Sequence, residues 1–127
     1  MRLSENSPQP ISVGAVDDAA PVVSAPGSGL CVVVSYYDAR PDAELHRLLR
    51  QIRDSEFDLR HVLVVVNSVG SAALELADGL GLVETVYRRN AGFNMGAWDF
   101  GWRARPHYRN YLFLQDECTV VRPDWAL

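Results

Sequence analysis

Two adjacent carboxylates near the C-terminal end of the sequence could hold a divalent cation. Asp116 and Glu117 follow the apolar run at residues 111–114 after one residue, Gln115, and carboxylate oxygens are ligands that Mg²⁺ and Mn²⁺ prefer. Neighbouring residues of a strand point to opposite faces, so we expect one of the two to coordinate the cation directly. A solvated strand end explains the same pair without a metal, and the two residues alone leave both interpretations open.

A second polar stretch, RRNAGFNMG beginning at Arg88, has the residue types of a phosphate-binding loop. Guanidinium groups pair with phosphate, and glycines permit positive φ angles or a close approach of the backbone to a ligand. The stretch lacks the GxGxxG fingerprint and the P-loop lysine, so a strand-to-helix turn with two exposed arginines is an equal alternative. Its candidate binding residues are Arg88, Arg89, Asn90, Gly92, Asn94 and Gly96.

Four apolar runs have to position these residues. They cover residues 30–35, 61–66, 82–88 and 111–114. The first two are nearly continuous in apolar residues, which is typical of strands buried on both faces of a parallel sheet. Helical patterns separate the runs. This alternation predicts an α/β fold, with a parallel sheet and right-handed crossovers.

Three helices are predicted between the strands. Pro41 opens the first, which has a buried stripe at helical spacing, and the second covers residues 72–78. The third begins at Asn94, its expected N-cap, and runs to Ala104. Its aromatic face is more typical of a core than of a sugar-stacking surface. The stripe of the first helix is Leu45, Leu48, Leu49 and Ile52, and the face of the third is Met95, Trp98 and Trp102.

The polar candidates all fall where predicted strands end. The carboxyl ends of parallel strands meet at one edge of a sheet, and ligands bind beyond that edge, so we expect these side chains to lie close together. This convergence predicts a binding site more strongly than either motif does. The residues are Tyr37 and Asp38 after the first strand, Asn67 and Ser68 after the second, 88–94 after the third, and Asp116 and Glu117 after the fourth.

Composition and charge exclude several other classes of protein. With 12 basic and 16 acidic residues the formal charge is -4, so we expect no nucleic-acid partner, because general nucleic-acid binders carry a basic face. No apolar run approaches the ~20 residues of a membrane span, and the N-terminal residues lack a signal-peptide core, so a cytoplasmic protein is expected. Cys31 and Cys118 show no zinc-ligand spacing and are expected to be reduced thiols in or near the core.

The first 29 residues differ in character from the rest. They contain four of the chain's prolines and show no period of 2 or 3.6. Such a stretch buries too little apolar surface to offset the entropy of ordering it. We therefore predict a disordered tail at residues 1–29 and a single domain at residues 30–127.

In order and spacing, these motifs resemble the N-terminal half of a family 2 glycosyltransferase of the GT-A fold. CVVVSYYDARP resembles that family's first strand and base-contacting loop, and HVLVVVNSVGS its second strand, with Asn67 at the usual position of an aspartate. RRNAGFNMGAWDFGW resembles the segment near the nucleotide-sugar. YLFLQDECTVVRPDWAL resembles the metal-binding Asp-x-Asp strand, with Gln115 in place of the first acid and Glu117 in place of the last. The resemblance covers roughly residues 30–127.

The resemblance implies a Rossmann-like half-domain that binds a nucleoside-diphosphate sugar and Mg²⁺ or Mn²⁺, for glycosyl transfer to a glycan or other acceptor. Asp38 and Asn67 would face the base and ribose, and Tyr37 and Asp116 would also belong to the nucleotide-sugar site. The 88–96 stretch would lie near the diphosphate. Glu117 with Asp116 would hold the cation, which acts as a Lewis acid toward the departing nucleoside diphosphate.

Two other functions stay open. Family members carry a second half with the acceptor site and usually a catalytic base, and nothing in this sequence corresponds to it. We therefore expect a truncated product, or a half-domain that self-associates or needs a partner chain. The missing second half, together with Asn67 and Gln115 at positions where the family has acids, favours a non-catalytic binding or assembly module that kept the fold and lost the chemistry. A metal-dependent phosphoryl- or nucleotidyl-transfer domain would share the site but not the acceptor.

Overall fold

The computed structural model describes residues 29–70, 73–77 and 79–126, and in them the predicted α/β fold with a parallel sheet is confirmed. Helix α1 (Ala43–Asp54) joins the first two strands, and helix α2 (Phe93–Ala104) joins the last two. The strands are β1 (Leu30–Tyr37), β2 (Val62–Ser68), β3 (Glu84–Arg89) and β4 (Asn110–Gln115), in the spatial order β3-β2-β1-β4. The predicted tail, apart from Gly29, lies outside the described residues.

β1 lies at the centre of the sheet and is buried on both faces because its residues are almost all apolar. It pairs in parallel with β2 and β4, so that Val34 lies opposite Val64 and Leu114. Alternate side chains of β1 enter two separate clusters, one with α1 and one with α2. The two helices therefore cover opposite faces, and the carboxyl ends of all four strands lie at one edge.

Helix α1 covers its face as predicted, with the stripe of Leu45, Leu48, Leu49 and Ile52 fully buried. Residues 118–126, the C-terminal segment, pack against the same helix. The Val120 backbone N–H donates to Gln51 Oε1 (2.9 Å), and Trp125 Nε1 donates to Ser55 Oγ (2.9 Å). The α1 face is therefore closed by both the helix and this segment.

Helix α2 covers the other face, but not with the residues that the sequence pattern predicted. Met95 is 73% exposed and Trp102 is 46% exposed, so the prediction that they form a core face is wrong. The buried residues of α2 are Ala97 and Gly101. A Cβ at Gly101 would lie 2.4 Å from Val33 Cγ1, so the helix lies too close to the sheet for large side chains on that line.

The predicted helix at residues 72–78 is not formed in residues 73–77, the part of it that the structure describes. Leu74 and Leu76 pack against the α1 cluster, and the alternating residues Ala73, Glu75 and Ala77 are exposed. The Leu74 backbone N–H donates to the Tyr87 hydroxyl (2.6 Å), and the carbonyl of Glu75 lies 3.0 Å from His46 Nε2. A single turn or two of helix is marginal without tertiary support, and here the tertiary contacts favour irregular chain.

The ends of the strands also differ from the prediction. Tyr36 and Tyr37 lie beyond the predicted first strand but belong to β1. Asn67 and Ser68 were predicted to follow the second strand but are the last two residues of β2. Pairing of Tyr37 with Asn67 extends the ladder this far. The two cysteines are free: Cys31 is buried and Cys118 is half-buried. Among the described residues, no helix is long and apolar enough to cross a membrane.

Candidate functional site

The crevice between β1 and β4 is the place where this topology favours a ligand. From β1 the chain turns one way, through α1 to β2, while β4 lies on the other side of β1 and is reached through α2 on the opposite face. Ligands of open parallel sheets bind beyond the strand ends at such a switch point. Ser35 pairs with Gln115 there, and the Asp116 backbone N–H donates to the Ser35 carbonyl (3.1 Å).

Asp116 lies at this crevice and is only 5% exposed. Its Oδ2 is buried and accepts no hydrogen bond from the described residues, although Arg40 Nε lies 3.4 Å away. Burial raises the pKa of the Asp116 carboxyl, and the charge of Arg40 offsets part of that rise. A buried carboxylate oxygen that lacks a hydrogen bond is costly unless a ligand or cation satisfies it.

Glu117 is exposed, and its Oε2 lies 3.4 Å from Arg40 Nη2. Asp116 and Glu117 both lie in the turn that follows β4 rather than in the strand. The alternation of side chains in a strand therefore does not separate them, contrary to our expectation, and both carboxylates contact the same guanidinium. The two acids are therefore neighbours at one guanidinium, Asp116 through Nε and Glu117 through Nη2.

Next along the edge, Asp38 joins the ends of the two central strands, β1 and β2. Its carboxylate accepts hydrogen bonds from Ser68 Oγ (2.8 Å) and from the Val69 backbone N–H (2.9 Å), and its own N–H donates to the Asn67 carbonyl (3.2 Å). The neighbouring Tyr37 side chain is exposed at the end of β1. The Asp38 carboxylate thus fixes the end of β2 and the first residue after it, Val69.

Asn67 and Arg88 brace the loop that leads into α2. Arg88 Nη1 donates to Asn67 Oδ1 (2.8 Å) and to the Ala91 carbonyl (2.7 Å), and Asn67 Nδ2 donates to the Phe93 carbonyl (3.0 Å). An aspartate at position 67 has no N–H for that last bond. Burial lowers the pKa of the Arg88 guanidinium, and its Nη1 is already engaged with protein acceptors.

The glycines of this loop have conformational reasons of their own. Gly92 adopts the left-handed conformation (φ 75°), and a Cβ at Gly96 would lie 2.4 Å from the Ala91 carbonyl oxygen. The Asn90 backbone N–H donates to the Ser68 carbonyl (3.2 Å). Gly92 therefore uses the positive φ that glycine permits, and Gly96 permits a close approach to the protein's own backbone; an approach to a ligand stays a prediction.

Asn94 does not cap α2, contrary to the prediction. The helix begins one residue earlier, after Gly92, which has no side chain to cap it. Asn94 Oδ1 instead accepts a hydrogen bond from the buried Ser35 Oγ (2.6 Å). This bond fastens the first turn of α2 to the end of β1, beside the crevice.

Sequence reasoning missed Ser35 and Arg40. Ser35 is the one polar residue in the apolar run at residues 30–35, and a buried polar side chain needs a partner. Arg40 comes two residues after Asp38 and directly before Pro41, at the tip of the loop that follows β1. Both signals were present in the sequence, but their partners lie far along the chain.

The predicted site residues form two groups rather than one. Asp38, Asn67 and Arg88, with the loop at residues 90–94, gather at the ends of β1, β2 and β3, whereas the two acids lie at the end of β4. β3 and β4 are separated by three strand spacings, about 14 Å. The exposed Arg89 and the acids thus stand at opposite ends of the edge, and Arg40 is the cation that contacts the acids.

Within the described part of the chain, no group of three or more His, Cys, Asp or Glu side chains could hold a metal ion. Mg²⁺ is usually held by one or two carboxylates together with substrate phosphates and water, so the pair at residues 116–117 fits a cation that arrives with a phosphorylated ligand. No protein-family model matches the chain, and neither does any curated protein or solved structure.

Proposed function

We propose that the carboxyl edge of the sheet binds a nucleoside-diphosphate sugar together with Mg²⁺ or Mn²⁺, and that this serves glycosyl transfer to an acceptor. The observation that carries the proposal is the buried Asp116 Oδ2, which has no hydrogen-bond partner among the described residues and lies 3.4 Å from Arg40 Nε at the β1–β4 crevice. A carboxylate left in that state at a switch point is suited to a cation and its anionic ligand.

The proposed role of each site residue depends on whether its polar atoms already bond to the protein. Asp116 and Glu117 would hold the divalent cation, which when bound neutralises charge on the departing diphosphate. Tyr37 is exposed beside the crevice and is available to the base or ribose. Asp38, Asn67, Arg88 and Asn94 act mainly by fixing the surrounding loops, because their polar atoms already bond to protein.

Calorimetry on the 127-residue chain with uridine, guanosine and thymidine diphosphates tests the proposal. Binding is expected to be weak without metal and to tighten when Mg²⁺ or Mn²⁺ is added. We expect Glu117→Gln to remove most of that gain, a loss of about 1.5–3 kcal/mol, which is typical of contacts to charged groups. Asp116→Asn is expected to act in the same direction, since both acids contact one guanidinium.

Glu56→Gln is the matched control, because Glu56 is an exposed glutamate at the opposite end of the domain, just after α1. It is expected to leave nucleotide binding unchanged. Measurements at about pH 8 keep the carboxylates ionised, since burial raises the pKa of Asp116.

A second candidate function is a non-catalytic binding or assembly module. Two observations favour it: Asn67 is used as a brace rather than left for a nucleoside, and the outer strand β4 carries no charged residue along Asn110–Gln115. Uncharged edge strands invite pairing with another chain. If none of the three diphosphates binds with or without metal, the transferase proposal fails. Self-association seen by light scattering would then support this module.

A further inference from the structure

Arg40 is held at the crevice by its backbone. Its N–H donates to the Tyr37 carbonyl (3.0 Å), and the Tyr36 hydroxyl donates to the Arg40 carbonyl (2.5 Å). Pro41 follows directly and restricts the backbone of Arg40 to extended conformations. The position of Arg40 is therefore set by a turn whose backbone is hydrogen-bonded to β1. Its side chain makes only ion pairs with the described residues.

The contacts of that guanidinium are unusually long. Arg40 lies 3.4 Å from Asp116 and 3.4 Å from Glu117, whereas the other arginine–carboxylate pairs of the described residues have distances of 2.6–3.0 Å. Charge-assisted hydrogen bonds normally measure ~2.7–2.9 Å. The guanidinium thus neutralises the two acids without satisfying the buried oxygen of Asp116.

Leaving this position costs the guanidinium little. The Arg40 side chain is 42% exposed, so solvent already surrounds part of it, and an incoming cation replaces its charge beside the buried Asp116. A small hard cation satisfies a buried carboxylate oxygen better than a guanidinium at 3.4 Å does. The guanidinium and a metal cation repel each other at that range, so each weakens the binding of the other at this pair of carboxylates.

We propose that Arg40 is an internal counterion of Asp116 and Glu117, that a divalent cation displaces it, and that the released guanidinium then contacts the diphosphate. This inference rests on the proposed function for its last step. The planar fork of an arginine matches phosphate geometry, and Arg40 is nearer the acids than Arg88 or Arg89, which end β3 at the far side of the sheet.

The proposal predicts two effects of opposite sign from one residue. Arg40 competes with the cation when no nucleotide is present, so it weakens binding of the metal alone. Once the metal has displaced it, Arg40 adds a contact to the diphosphate, so it strengthens binding of the nucleotide. Metal and nucleotide are then coupled, and by linkage each tightens the binding of the other by the same factor.

Electron paramagnetic resonance of free Mn²⁺, titrated against the full chain at about pH 8 where carboxylates are ionised, tests the first effect without nucleotide. Arg40→Gln is expected to bind Mn²⁺ roughly three- to tenfold more tightly than the unaltered chain, the scale of removing one partly screened charge. Arg103→Gln is the matched control: it removes an exposed arginine that pairs with Asp99 on α2, and it should leave Mn²⁺ binding unchanged. Thermal unfolding of each variant checks that the fold is retained.

Calorimetry with uridine diphosphate at saturating Mn²⁺ tests the second effect. Arg40→Gln is expected to weaken nucleotide binding about tenfold or more, the loss typical of a contact between charged groups, and to reduce the coupling factor between metal and nucleotide. Arg40→Lys keeps the charge but not the fork, so it should keep the competition with Mn²⁺ and recover only part of the nucleotide affinity.

The two arms separate the failure of this inference from the failure of the proposed function. Mn²⁺ binding that is equal or weaker in Arg40→Gln, or absent from both proteins, overturns the counterion role, even if nucleotides bind. Tighter Mn²⁺ binding in Arg40→Gln with no binding of any nucleoside diphosphate supports the counterion role. That result overturns the contact to diphosphate together with the transferase proposal.

Discussion

On the α1 face of the sheet, leucine and isoleucine side chains fill the space between helix and strands, and the C-terminal segment closes the side. On the α2 face, Ala97 and Gly101 let the helix lie almost on the valines of β1 and β2, and large aromatic residues point outward. The candidate site is fastened from the second face, because Asn94 in the first turn of α2 bonds to Ser35. This bond joins the closely packed α2 to the candidate site.

The largest test of this comparison is Leu49→Ala on the α1 face. Leu49 is fully buried, and truncating a buried leucine typically costs about 2–5 kcal/mol of unfolding free energy. Denaturant unfolding measures the loss. Leu49→Met keeps the volume and should cost less than about 1.5 kcal/mol. Equal losses in the two variants would show that shape rather than volume governs this face.

On the α2 face the damaging change is the opposite one, adding volume. Gly101→Val places side-chain atoms where a Cβ already comes within 2.4 Å of Val33, and overpacking typically costs about 1–3 kcal/mol. Gly81→Val is a fitting control, since no atom lies within 4 Å of a Cβ there and its φ is not positive. If the two variants unfold alike, α2 can move outward freely and the contrast between the faces disappears.

These two faces also show how far a sequence can be interpreted. The stripe of α1 was predicted correctly because leucines at helical spacing have one simple arrangement, facing the sheet. The same rule failed for Met95 and Trp102, because the distance between α2 and the sheet was decided by Gly101, whose effect depends on a strand some seventy residues earlier. Local periodicity carries no information about that distance.

The site residues also divide into those whose position could be predicted from the sequence and those whose partners could not. The acids and Asp38 could be located from the rule that polar residues after parallel strands share an edge, since the rule needs nothing but strand order. Ser35, Asn94 and Arg40 could not be paired with their partners, because the bonds join residues far apart in sequence and depend on the detailed path of two loops. The helix predicted at residues 72–78 was wrong in the described residues 73–77 for a related reason. Contacts of this segment with Tyr87 and His46 outweighed its weak helix propensity.

A smaller effect is expected from the bond that joins the α2 face to the site. Asn94→Ala removes the acceptor of the buried Ser35 hydroxyl, and a hydrogen bond of this kind contributes about 0.5–1.5 kcal/mol net. A double-mutant cycle with Ser35→Ala isolates that coupling. Because the same bond positions the crevice, nucleotide affinity is expected to fall with it. Additive free-energy changes in the cycle would mean that the bond does not fasten α2.

The smallest expected effect is the most direct test of which residues support α2. Trp102→Gln and Met95→Gln remove large apolar side chains from exposed positions, and exposed substitutions usually change stability by less than about 0.5 kcal/mol. Glutamine also retains helix propensity similar to methionine.

The matched variant is Trp98→Gln. Trp98 is half-buried, its ring centroid lies 5.8 Å from that of Phe113, and its Nε1 donates to the Leu114 carbonyl (3.0 Å). All three residues share one face by periodicity, so a periodic core predicts three similar losses in denaturant unfolding. If α2 instead packs through Ala97 and Gly101, only Trp98→Gln should lower the unfolding free energy, because Trp98 alone of the three contacts the sheet.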